Sequence, residues 1–219
     1  MGVDQEEKNL ELERLVFFSD AVIAIAITLL VFDLKLKPAG EHFTFADIGN
    51  AWHMFAAFFL SFAIIAVFWV NHHRFYVYIR AIDSRILTYN MCWLLCIVLL
   101  PFSTSLISRD FFNKPAMFLY SVNVLAVTYF QNAIWDHVSF KKLTKPTLTA
   151  KIDREYRVGC NLAIGNAVFA IAATFFSPLV AFIVLFARTF TFRKSAQEWV
   201  ARVTQRRLAK EKKKDRVGS

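Results

Sequence analysis

The segment Arg14-Leu-Val-Phe-Phe-Ser19-Asp20, followed by an apolar run to Phe32 broken only by Thr28, constrains this chain more than any other. Its hydrophobic stretch matches a bilayer core of about 30 Å, which takes roughly 20 helical residues to cross. Near its start stands a carboxylate. An ionisable side chain at membrane depth is costly unless it is paired or hydrated, so Asp20 reads first as a functional residue.

Composition agrees with a membrane protein. Hydrophobic residues make up 57% of the 219, with 24 phenylalanines, whereas ordinary soluble domains sit near 45–50%. The excess is gathered into span-length blocks, and no polar segment is long enough for a separate soluble domain. The opening residues are acidic (Asp4, Glu6, Glu7, Glu11, Glu13), unlike the positive start of a signal peptide, so the first helix is expected to be retained. Cys92, Cys96 and Cys160 fall inside apolar blocks and read as buried free thiols, not as a disulfide or zinc framework. No nucleotide-binding, hydrolase or metalloprotease motif is present, and no enzyme, resident cofactor or metal site is predicted.

Helix 1 is predicted from about Leu15 to Leu34, ahead of Pro38 and Gly40. Helix 2 starts near Phe45 and reaches Asn71-His72-His73-Arg74. Helix 3 follows Asp83-Ser84 and runs past Pro101 toward Ile107. Helix 4 lies between Lys114-Pro115 and Trp135-Asp136, and a basic linker follows from Lys141 to about Arg157. The last apolar block, Val158 to Phe192, is too long for one span. Ser177-Pro178 near its middle, a cap followed by Pro at a first helical position, divides it in two. Six spans place 22 of the 26 basic residues on the side of both termini, and cytoplasmic segments are the ones enriched in Lys and Arg. The expected organisation is a cytoplasmic N-terminus (1–14), a six-helix transmembrane domain (15–193) and a basic cytoplasmic tail (194–219). The tail suits anionic lipid headgroups better than nucleic acid, because it follows a span directly.

Within helix 1, Ile25, Leu29 and Phe32 recur at helical spacing and form a stripe flanked by Thr28. Such a stripe either lines a pore or packs on lipid or a neighbour, and periodicity does not choose. Arg14, Ser19 and Asp20 lie at the same cytoplasmic depth as Trp69, His72 and His73 of helix 2. A contact from Asp20 to His73 or Arg14 would brace helix 1, or His73 would relay protons, since histidine titrates near neutrality. Asp33, at the other end of helix 1, is either a carboxylate at a pore mouth or a solvated partner of Lys35 and Lys37.

The pattern Arg14-x-x-x-Phe18-Ser19-Asp20 resembles the signature of the transmembrane protein 175 family of potassium channels. The similarity extends through Trp69-Val-Asn-His72-His73-Arg74 and from Asn90 to Phe102. The resemblance implies an all-α membrane protein whose helix 1 lines a central pore. Its narrow layers fall on Ile25, Leu29 and Phe32, with Thr28 beside them, and a motif network behind the pore wall holds the helix. One motif copy per chain resembles the prokaryotic homotetramer, expected in a bacterial inner membrane with both termini cytoplasmic. Potassium would be the permeating ion. No Thr-Val-Gly-Tyr-Gly filter exists in the chain, so selectivity over sodium is expected to be modest and to arise from partial dehydration at an apolar ring. Two rivals remain: a proton-coupled transporter using Asp20 and His73, and a non-conducting membrane scaffold.

Overall fold

The computed structural model describes residues 2–189 except Lys37 and Ala39. These residues form helices α1 (Gly2–Leu29), α2 (Phe45–Asn50), α3 (Trp52–Val77), α4 (Ser84–Arg109), α5 (Lys114–Phe140), α6 (Ala150–Phe176) and α7 (Pro178–Thr189). A 3-10 turn, Leu30–Asp33, ends the first helix. Four segments are long and apolar enough to cross a membrane: Leu10–Asp33, Trp52–Val77, Ser84–Arg109 and Ala150–Phe176. Helix α5 has similar length, but Asn123, Gln131, Asn132, Asp136 and His137 make it more polar.

Local chemistry explains the boundaries. The acidic opening continues into α1 without a break, so the helix starts at Gly2 and not at Leu15; acidic side chains favour a helix N-terminus. The expected second helix is two helices. Thr44 and Asp47 cap α2, the Asp47 carboxylate accepting from the Thr44 amide and hydroxyl at 2.8 Å each. Gly49-Asn50 then end it, and α3 restarts after Ala51. The Asp83 side chain caps α4 by accepting from the amides of Arg85 and Ile86. Asn113 caps α5 with Pro115 in its first turn. The basic linker is shorter than predicted, because Thr149 caps α6 by accepting from the Ile152 amide. Lys151, Arg154 and Arg157 therefore ride on helix. The break at Ser177-Pro178 falls where the sequence places it. The limit at Phe192, the domain limit at residue 193 and the tail from 194 lie outside the described residues.

Helix α4 is the hub: α1, α3 and α5 pack on it, α6 packs on α5, and α1 also touches α3. Pro101 sits inside α4 and removes one backbone donor. The Ser103 and Thr104 hydroxyls tighten this turn by donating to the Leu100 carbonyl at 3.0 and 2.7 Å. At one end of the bundle the α3–α4 and α5–α6 connections are pinned together. The Arg80 amide donates to the Leu143 carbonyl and the Lys145 amide to the Tyr78 carbonyl, both at 2.8 Å, around a bridge between Ile79 and Thr144. His137 and Asp83 meet beside them at 2.7 Å. All three cysteines are free thiols, Cys96 and Cys160 buried and Cys92 partly so.

Candidate functional site

Helix α1 has two faces of opposite fate. Leu12, Leu15, Ser19, Ile23, Ala26 and Leu30, at helical spacing, are buried against the subunit. The opposite face meets no other helix among the described residues. Ile25 is 60% exposed, Leu29 40% and Phe32 68%. Arg14, Phe18 and Thr28 are exposed on the same side. The Thr28 hydroxyl donates to the Ile25 carbonyl at 2.9 Å, which fixes its rotamer and leaves its oxygen lone pairs outward. The 3-10 turn tightens the helix just beyond this stripe, and Phe32 keeps its outward position within it. Asp33 is half-buried at its end, within electrostatic reach of Lys35 and Arg109.

Behind that stripe lies a buried polar cluster. Ser19 is fully buried; its hydroxyl donates to the Leu15 carbonyl at 2.8 Å and accepts from the Asn90 amide nitrogen at 2.9 Å. The Asn90 amide oxygen accepts from the Tyr76 hydroxyl at 3.0 Å and faces His72 Nε2 at 3.1 Å. Because that oxygen only accepts, the hydrogen bond assigns the imidazole proton to Nε2. His72 stacks on Trp93, ring centroids 4.6 Å apart. Asn90 therefore joins α1 to α3 from its place on α4, and every one of these side chains is buried.

Asp20 is held differently from the expectation. Its carboxylate accepts from the Trp69 indole at 2.9 Å, and the Trp69 and His73 rings lie 5.9 Å apart. The imidazole that communicates with helix 1 is His72, through Asn90; His73 is exposed. Arg14 is exposed as well, and ion pairs among the described residues include His137–Asp83, Arg157–Asp136 and Arg157–Asp153. The expected Asp20–Arg14 bridge fails for a helical reason: six positions place the two side chains about 120° apart around the helix and nearly two turns apart along it. The sequence reading missed the roles of Asn90, Tyr76 and Trp93. Their signal was an isolated amide in the apolar α4 beside aromatic residues that carry polar atoms.

Comparison with known proteins follows the same helices. The family model described as the endosomal/lysosomal potassium channel TMEM175 matches residues 14–101, from Arg14 of α1 to Pro101 of α4. A potassium channel of Streptomyces collinus is 32% identical over 159 residues, 70% of this chain and 76% of that protein. A potassium channel of Chamaesiphon minutus is 30% identical over 201 residues, 85% of this chain and 96% of that protein. The crystal structure of a lysosomal potassium-selective channel TMEM175 homolog from Chamaesiphon minutus superposes with a TM-score of 0.75 at 27% identity, covering 85% of this chain and 98% of that chain. With the signature residues and the fold in agreement, the chain belongs to the TMEM175 family, in its prokaryotic branch.

Proposed function

We propose that this chain is the subunit of a potassium-selective channel, four copies of which place α1 around a common axis. The observation that carries this reading is the bare face of α1. A helix so firmly packed on one side exposes Ile25, Leu29 and Phe32 in register on the other, and one subunit cannot enclose a path. Four such faces meeting would make stacked apolar rings about 6 Å apart for Ile25 and Leu29, one turn each. An ion entering an apolar ring loses part of its hydration shell without replacement ligands. Potassium surrenders water more readily than sodium, so the ring discriminates modestly. Thr28 oxygens flank the constriction, and a ring of Asp33 carboxylates at the outer mouth would concentrate cations.

In this reading α1, α3, α4, α5, α6 and α7 all cross a bacterial inner membrane and both termini face the cytoplasm. The pinned α3–α4 and α5–α6 connections support a shared side for those two loops. The Ser19–Asn90–His72–Tyr76 cluster and the Asp20–Trp69 bond hold α1 in its rotational setting.

The test is Ile25→Asn in protein reconstituted into planar bilayers. Amide dipoles at the narrowest ring wet it and supply ligands, so conductance should rise and the reversal potential under a potassium/sodium gradient should move toward zero. Unchanged conductance and reversal potential in a tetramer that assembles normally would remove Ile25 from the ion path.

A further inference from the structure

At the end of the bundle where the α3–α4 and α5–α6 connections are pinned, an open groove of about 550 Å³ lies between α4, α5 and α6. Tyr129, Asn132, Asp136 and Phe140 line it from successive turns of α5, Tyr89 from α4 and Arg157 from α6. We infer that this groove binds a primary alkylammonium group, carried by the headgroup of phosphatidylethanolamine. Such a site needs only the cytoplasmic setting of this end, and nothing of the ion path.

One guanidinium here serves two carboxylates. Arg157 donates to Asp153 at 3.2 Å, to Asp136 at 3.0 Å and to the Ser139 hydroxyl at 2.9 Å, so all three of its nitrogens are engaged. Asp153 also accepts from the Trp135 indole at 3.1 Å and from Ser139 at 3.3 Å, which satisfies the inner carboxylate. Asp136 has the Arg157 bond alone among the described residues, and its side chain is 51% exposed. An ionised carboxylate accepts several hydrogen bonds, so Asp136 offers the groove both charge and spare capacity. Asn132, one turn earlier and half-buried, has no hydrogen bond among the described residues and supplies a second acceptor oxygen. The Tyr89, Tyr129 and Phe140 rings complete the walls, Tyr89 standing edge-on to His137 with centroids 6.2 Å apart. Aromatic faces attract a cation. A quaternary ammonium would satisfy the rings and leave both acceptors unmatched, whereas a primary ammonium serves rings and acceptors together.

The surroundings select the source of that ammonium. Tyr129 is 58% exposed in the last turns of α5, and tyrosines near helix ends are characteristic of the membrane–water interface. Phe140, more exposed still, is apolar surface for an acyl chain to cover. Exposed cations stand at the rim: Arg85, one turn before Tyr89, and Lys141 and Lys142, directly after Phe140. They repel a free amine or polyamine. A zwitterionic headgroup uses both charges of the site. Its phosphate meets the basic rim, and the ammonium on its short ethanolamine arm reaches Asp136 and Asn132 between the rings.

The experiment places the full chain in phosphatidylcholine nanodiscs titrated with phosphatidylethanolamine, retained lipid being counted by native mass spectrometry. The two lipids share phosphate and acyl chains, and only phosphatidylethanolamine carries N–H donors, so the unmodified protein should retain it preferentially. Asp136→Asn leaves Arg157 its bonds to Asp153 and Ser139 and should weaken the preference by about tenfold, the effect of one lost charge-assisted bond. Asn132→Leu should weaken it too while leaving thermal unfolding in lipid-free detergent unchanged, a split that a merely structural role would not produce. Glu11→Gln, which removes an exposed carboxylate on α1, should change retention little, and a loss there as large as at Asp136 makes the effect general surface attraction and overturns the site. A parallel arm adds free ethanolamine. Ethanolamine that displaces phosphatidylethanolamine competitively supports the ammonium site, and ethanolamine that stabilises the protein in phosphatidylcholine discs as much as the lipid does makes a free amine the ligand and overturns the lipid assignment. Equal retention of the two lipids, or an undiminished preference in Asp136→Asn, overturns the proposal. Should Asp136→Asn fail to fold, Asn132→Leu decides: an undiminished preference overturns it too.

Discussion

Asn90→Leu is the sharpest test of what holds α1 in place. Leucine has the same branched four-heavy-atom shape as asparagine and is somewhat bulkier, so the change removes hydrogen bonding without opening a cavity. The Tyr76 hydroxyl and His72 Nε2, bonded to the Asn90 oxygen at 3.0 and 3.1 Å, each lose a buried acceptor. Ser19 suffers less, because its hydroxyl still donates to the Leu15 carbonyl. Two orphaned donors cost about 1–3 kcal/mol each. Helices loosened within a bilayer find substitute partners, and measured intramembrane bonds average only about 0.6 kcal/mol, so the expected net loss is about 2–4 kcal/mol. The assay is thermal unfolding in mild detergent followed by tryptophan fluorescence, with size-exclusion chromatography to follow assembly. Asn132→Leu is the control, a half-buried amide on α5 with no hydrogen bond among the described residues. Adding Tyr76→Phe to Asn90→Leu should recover part of the loss, since the orphaned hydroxyl disappears. If Asn90→Leu melts with the unmodified protein and assembles equally well, the cluster does not brace α1.

Three further outcomes follow from the same geometry. Ile23→Asn, at a site 2% exposed inside the bundle, should reduce the yield of assembled protein sharply, in contrast with Ile25→Asn, and chromatographic recovery of the two variants compares them. Asp20→Asn keeps an oxygen acceptor for the Trp69 indole and should cost only about 1 kcal/mol in thermal unfolding, whereas Asp20→Leu, which orphans that donor, should cost more; equal losses would assign Asp20's importance to its charge. Burial pushes the Asp83 carboxyl up, but the His137 hydrogen bond and the Ile86 and Arg85 amides bring it below its ordinary 3.8. Its stabilising contribution is thus present above about pH 4 and lost as pH falls through the lowered value, and Asp83→Asn should flatten that acid limb in melting curves recorded from pH 7 to pH 3.

Much of this architecture was legible because membrane helices announce themselves. Apolar blocks, Pro115, the Asp83 cap and the Ser177-Pro178 break all act through local backbone chemistry, which a sequence displays directly. The division of helix 2 at Ala51 and the early start of α6 were less visible. Both depend on a cap, Thr44 with Asp47 and Thr149, placed outside the apolar run that draws attention. The α1 stripe was legible as periodicity, yet only the packed structure reveals which side is bare. Ile23, Ile25 and Ile27 are the same residue type in the same turn region, and their burial ranges from nearly complete at Ile23 to 60% exposed at Ile25.

The partner of a buried polar group is harder to read than its presence, because pairing depends on helix rotation as well as depth. Asp20 and His73 share a depth, and opposite chemistry made them natural partners on paper. In the bundle, α3 turns Trp69 toward Asp20 and His72 toward α4, and the adjacent His73 faces outward, about 100° around the helix. The consequence is physical. An indole donor carries no charge, so the Trp69 bond gives Asp20 on α1 a hydrogen-bond partner and no countercharge. Asn90 meanwhile absorbs the hydrogen-bonding demand of α1 and α3 through a neutral amide, which carries a far smaller desolvation penalty than an ion pair at that depth. A neutral hub for structure and a separate carboxylate near the bare face divide two tasks that the sequence motif presents as one.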